Sequence, residues 1–143
     1  MKKVAIVFWS GSGNTEAMAQ AIKKGVAAAG AEADLFLVGD FDTSTTASYD
    51  GLALGCPAMG AENLEEAEFQ PAYDEMKPAL SGKPVALFGS YGWGSGEWMD
   101  TWVQDAKDAG AKVFENGLII NETPDDDGLA QCEDFGKRFA ESP

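Results

Sequence analysis

The chain has 143 residues, 45% of them hydrophobic, with 24 acidic and 10 basic side chains, a net charge of −14 and no histidine. That length and apolar content suit one globular domain, spanning 1–143, and exclude a disordered chain. The charge disfavours nucleic acid and anionic lipid as partners, and the absence of histidine removes histidine acid–base catalysis and Ser-His-Asp triads.

Apolar runs are too short to cross a membrane, which takes roughly 18 residues. Met1-Lys2-Lys3 leads directly into a strand and offers no secretory leader, so the cytoplasm is the expected location. Cys56 and Cys132 are far apart, with no Cys-x-x-Cys, so zinc and iron–sulfur sites of the usual kind are not expected. Each thiol reads as a buried small hydrophobe.

The first strand is expected over Lys3 to Phe8, and a helix over Glu16 to Ala29, with Met18, Ile22 and Val26 on one face. Between them stands Trp9, then Ser10-Gly11-Ser12-Gly13-Asn14-Thr15. A strand, a glycine- and hydroxyl-rich loop and a helix start make a phosphate site. Helix N-terminal N–H groups point at the anion, and the Ser and Thr hydroxyls can donate. Asn14 replaces the lysine of a nucleoside triphosphatase loop, and Glu16 stands where a dinucleotide fingerprint needs its third glycine. Neutral donors suit holding a terminal phosphate better than breaking a phosphate bond. The bland alternative is a glycine-rich turn with a polar helix cap.

Further strands are expected over Ala33 to Val38, Gly51 to Cys56, Pro84 to Gly89 and Lys112 to Ile120. The connection Val38 to Asp50 holds at most a short helix near Thr43 to Ala47. Helical stripes follow at Phe69, Tyr73, Met76 and Leu80, at Trp98, Trp102 and Ala106, and at Leu129, Cys132, Gly136 and Phe139. This alternation predicts an α/β sandwich of three layers, a parallel sheet with helices on both faces. Ligands of such folds bind at the carboxyl ends of the strands, where strand order reverses.

Three loops should converge there. Beside the first lie Pro57-Ala58-Met59-Gly60-Ala61-Glu62, after the third strand, and Ser90-Tyr91-Gly92-Trp93-Gly94, after the fourth. Trp93 between two glycines has little packing to do and suits stacking on a flat ring.

With these three motifs in order, the chain resembles the flavodoxins of the short-chain, clostridial type. The resemblance runs end to end, including Glu65-Glu66-Ala67-Glu68-Phe69 and Asp134-Phe135-Gly136-Lys137. It implies a five-stranded parallel sheet in the order 2-1-3-4-5 and a non-covalent flavin mononucleotide (FMN). Ser10, Gly11, Ser12, Gly13, Asn14 and Thr15 would hold the phosphate; Pro57, Ala58 and Ser90 would flank the ribityl chain. Met59 and Trp93 would cover the two ring faces, Gly60 would sit beside N5, and Glu62 would accept from N3–H. Ser90, Tyr91, Gly92 and Gly94 would line the outer edge, and Trp9 and Ala61 would also be among the cofactor-binding residues. Many relatives carry Asp where Ala61 stands and an acid where Ser95 stands, so this chain has less charge at those places.

The implied function is that of a low-potential one-electron carrier, not an enzyme, shuttling between semiquinone and hydroquinone. A unit charge about 10 Å away in water costs an added electron on the order of 0.4 kcal/mol, so several carboxylates depress the potential noticeably. Redox enzymes would dock weakly through basic surfaces near the flavin edge, and the carrier would be a monomer. A flavin-dependent reductase of a small substrate is the alternative, but it needs room beside N5 that Trp93 closes. A phosphorelay receiver is excluded: Cys56 and Pro57 stand where its aspartate belongs, and Trp9 and Ser10 replace its acidic pair.

Overall fold

The computed structural model describes residues 3–9, 13–58, 65–91, 96–121 and 124–141. Strand β1 (Lys3–Phe8) leads to helix α1 (Asn14–Ala28), then β2 (Glu32–Leu37) and two 3-10 turns, Val38–Asp40 and Thr43–Ser48. Next come β3 (Gly51–Gly55), α2 (Phe69–Met76), β4 (Pro84–Tyr91) and α3 (Glu97–Asp108). The chain ends with β5 (Lys112–Val113), β6 (Leu118–Asn121) and α4 (Asp126–Glu141).

The strands pair in the order β2-β1-β3-β4-β5, all in parallel, as the resemblance implied. Side chains alternate across the sheet and build two cores. Ala5, Val7, Leu52, Leu54, Val85 and Leu87 face Phe69, Tyr73, Met76, Trp98 and Trp102 of α2 and α3. Val4, Ile6, Phe8, Ala53, Ala86 and Phe88 face Met18, Ile22 and Val26 of α1 and Cys132, Phe135 and Phe139 of α4. Burial on both faces explains why the strands read as near-continuous apolar runs.

The expected fifth strand is two pieces rather than one. β5 pairs with the start of β4 through Pro84↔Lys112 and Val85↔Val113, and β6 pairs with its end from Phe88↔Leu118 to Tyr91↔Asn121. Glu115 (φ 51°), Asn116 (φ 61°) and Gly117 (φ 87°) take left-handed backbone angles and break the ladder between them. Only Asn and Gly of the three favour that region, which marks the Asn-Gly pair as the local cause. The helical stripe from Phe69 to Leu80 also stops early, with α2 ending at Met76. Lys77–Ala79 tightens into a 3-10 turn because Pro78, at its start, cannot donate a helical N–H.

Helices α1 and α4 approach through two glycines. A Cβ on Gly25 would lie 1.8 Å from the Glu133 carbonyl oxygen, and one on Gly136 would lie 2.3 Å from that of Ile22. No other residue permits this backbone approach.

Candidate functional site

Because the sheet is parallel, β1, β3 and β4 all end on one edge. β1 is followed in sequence by β2 on one side and neighboured by β3 on the other, so strand order reverses between β1 and β3. Three backbone hydrogen bonds carry the register past the strand ends. Trp9 N–H donates to the Gly55 carbonyl (3.0 Å), Cys56 N–H to Phe88 (3.1 Å) and Ala58 N–H to Ser90 (3.0 Å). The three segments singled out in sequence therefore leave the sheet side by side.

Helix α1 begins here. Its N-cap, Gly13, is left-handed (φ 92°) and supplies no side-chain cap, and the space a Cβ would occupy is open. Asn14, half-buried, is the first helical residue. Thr15 is 1% exposed, and its Oγ1 lies 3.2 Å from Oγ of Ser90, itself 3% exposed. That pair, 75 residues apart in sequence, joins the first loop to the third; the Ser90 carbonyl joins the third to the second. Ser90 thus ties all three segments together.

Behind the site the packing is tight. A Cβ on Gly89 would stand 2.1 Å from the Cys56 carbonyl oxygen. Trp98 Nε1 donates to that same oxygen at 3.2 Å, and its ring meets Tyr91 with centroids 5.7 Å apart. Pro57, Ala58, Trp9 and Tyr91 are half-buried. Ser10, Gly11, Ser12, Met59, Gly60, Ala61, Glu62, Gly92, Trp93 and Gly94 lie outside the described residues. The groove of about 660 Å³ between α1 and α4 includes neither Thr15 nor Ser90 and belongs to the outer helix layer.

Two residues emerge with roles that pattern reading missed. Burial pushes the Cys56 thiol up to about 12, as expected of a core thiol, but its sulfur also accepts the Glu65 N–H at 3.3 Å. Glu65, read from sequence only as part of an acidic stretch, is 8% exposed. Its carboxylate accepts from the N–H groups of Ala67 (2.9 Å), Glu68 (2.7 Å) and Phe69 (2.9 Å). Burial alone would raise its pKa; those three donors together outweigh it and hold the group below the usual value. An acid four residues before a helix start was the available signal.

Charge is distributed unevenly. Among the described residues, no Lys or Arg stands in the first two turns of α1, α3 or α4, all of which begin at the site edge. Glu16, Glu97, Asp100, Asp126 and Asp127 stand there instead. Lys3, Lys77, Lys83, Lys107 and Lys112 sit at strand starts or helix ends, on the opposite edge.

The donor set fits a phosphate monoester: a helix N-terminus without a side-chain cap and two buried hydroxyls, with no Lys or Arg in the first two turns of the helix among the described residues. Fold and site together define a doubly wound α/β protein with a cluster of phosphate-type donors at its switch point. The flavodoxin family model matches residues 6–136. The chain is 48% identical to the flavodoxin of Megasphaera elsdenii over 97% of its length and 99% of the relative's. It is 45% identical to that of Clostridium beijerinckii over 94% and 97%, respectively. The solution structure of two-electron reduced Megasphaera elsdenii flavodoxin superposes with a TM-score of 0.89, covering 97% of this chain and 99% of that one. The chain belongs to the flavodoxin family, whose members carry electrons on FMN and are not enzymes. The reductase alternative finds no support.

Proposed function

We propose that this carrier works at low potential, passing single electrons to redox enzymes that dock by basic surfaces on its acidic edge. The buried Thr15–Ser90 pair beneath the α1 N-terminus carries the reading, because it gathers all three loops at one phosphate-sized cluster of donors. Bound FMN would supply the reversible one-electron chemistry at low potential.

The chain's own residues bind and orient. Thr15, with Asn14, Gly13 and Ser10 to Ser12, holds the phosphate by hydroxyls and helix-start amides. Pro57, Ala58 and Ser90 flank the sugar-alcohol chain, and Ser90 keeps the second and third loops in register. Met59 and Trp93 would enclose the ring faces and exclude water; Gly60, Ala61 and Glu62 would contact its polar edge, and Trp9, Tyr91, Gly92 and Gly94 would complete the rim.

The acidic rim does two things. It disfavours added negative charge at the site, which lowers the potential. It also attracts basic partners over distances set by salt. Among the described residues Leu37 is the one exposed large hydrophobic side chain, at 49%, which supports a monomer with transient polar contacts.

Stepwise anaerobic reduction of the FMN-loaded protein, followed in the visible range, tests the reading. A long-wavelength band that accumulates near half reduction is expected, with the final reduction occurring well below the potential of free FMN. Direct passage to the fully reduced spectrum would refute one-electron carriage. Transfer rates to a basic acceptor should fall steeply with salt; salt-independent rates would refute docking on the acidic edge.

A further inference from the structure

The chain leaves β3 at Cys56 and comes back to the same place at Glu65. Every hydrogen-bonding group at the Cys56 stem is engaged. Its N–H donates to the Phe88 carbonyl (3.1 Å), its carbonyl accepts from Trp98 Nε1 (3.2 Å), and its sulfur accepts from the Glu65 N–H (3.3 Å).

Glu65 is engaged just as fully. Beyond the bond to sulfur, its carbonyl accepts the Gln70 N–H (2.8 Å), and its buried carboxylate takes three successive N–H groups at the entry to α2. A buried carboxylate is costly unless its oxygens are satisfied. Here they are satisfied by the backbone that begins α2. The two positions that flank residues 57–64 are therefore both fixed: Cys56 is pinned to β4 and α3, and Glu65 to α2.

We propose that Glu65 and Cys56 form a clamp that positions the loop 57–64, and with it Met59, Gly60 and Glu62, for the flavin. Glu65 is a positioning residue; it acts through the loop and not by touching the ring. The proposal rests on the FMN reading above. It assigns Glu65 a role separate from its charge. Neighbouring Glu66 is exposed and accepts none of these bonds, so charge and clamping can be tested independently.

The test compares Glu65→Asp, Cys56→Ala and Glu66→Gln in the full chain. Glu65→Asp keeps the charge but falls one methylene short of the three N–H groups. Cys56→Ala removes the sulfur acceptor without altering charge. Glu66→Gln removes a charge from the same stretch and leaves the clamp intact. FMN affinity is read by fluorescence titration. The fraction held at the one-electron stage is read from long-wavelength absorbance at half reduction.

Glu65→Asp is expected to bind FMN about tenfold more weakly and to lose about half of that absorbance or more. Cys56→Ala should move both readouts in the same direction by less, and Glu66→Gln should keep FMN affinity within about twofold. If Glu65→Asp does not fold, Cys56→Ala decides. Clamp variants that fold and match the wild type in both readouts would overturn the clamp and leave the carrier reading standing. A Glu66→Gln protein that loses as much as Glu65→Asp would overturn it in favour of charge. A wild-type protein that takes up no FMN would overturn both.

Discussion

Replacing Gly89 with alanine tests whether the close approach of β4 to the end of β3 builds the site. The added Cβ would stand 2.1 Å from the Cys56 carbonyl oxygen and 3.0 Å from its carbon, with Trp98 Cζ2 at 3.2 Å. The first two are backbone atoms, so a rotamer change cannot relieve the overlap. More than 1 Å of separation between the strand ends is required. That separation strains the two bonds flanking the contact, Cys56 N–H to Phe88 and Ala58 N–H to Ser90. Overpacking costs about 1–3 kcal/mol and each of the two weakened hydrogen bonds about 0.5–1.5 kcal/mol, which together come to about 2–6 kcal/mol. For a domain of this size that lowers the melting temperature by about 6–20 °C. Cys56 is also the stem of the loop carrying Met59, so FMN affinity should fall by about tenfold or more. Apoprotein melting by circular dichroism and FMN titration read the two effects. Gly82→Ala is the control: Gly82 has φ 75° with open space at its Cβ position, so strain alone, about 1–2 kcal/mol, is expected without loss of FMN affinity. A Gly89→Ala protein no less stable than Gly82→Ala, with wild-type FMN affinity, would refute the packing argument.

Gly25→Ala and Gly136→Ala should each destabilise by about 3 kcal/mol or more, since each drives a Cβ into the backbone of the facing helix; urea midpoints measure this. Both thiols are held near a pKa of about 12 by burial, so neither should react with a disulfide reagent at mildly alkaline pH in the native protein, and both should react in concentrated guanidinium chloride. Glu65 has its pKa depressed, because three N–H donors outweigh burial, so its stabilisation is present above the unfolded value of about 4.3 and is lost as pH falls through the folded one. The stability gap between wild type and Glu65→Gln should therefore shrink between mildly acidic and strongly acidic pH; a constant gap in denaturant titrations would rule that contribution out.

The alternation of apolar strands with helical stripes, the three loops and their chain order were all legible in the sequence, because each depends on residues close together along it. Period-2 and period-3.6 patterning follows from backbone geometry alone, and a parallel sheet necessarily brings the loops after β1, β3 and β4 to one edge. Non-local contacts were not legible. The split of the fifth strand is different, because its cause is local: the run reads as one strand, yet the Asn116-Gly117 pair turns the backbone left-handed within it. Gly25 and Gly136 read as ordinary helix positions until the two helices are brought together. Ser90 reads as one hydroxyl among several, but the fold sets it opposite Thr15 and bonds its carbonyl to Ala58. Cys56 reads as a core thiol and Glu65 as one of four acids within seven residues. Only the return of the chain to the end of β3 places sulfur against amide and carboxylate against the start of α2. Local patterning determined which segments form the sheet and supply the site; tertiary packing decided which atoms within them meet, because those contacts depend on distances between strand ends that adjacent residues do not encode.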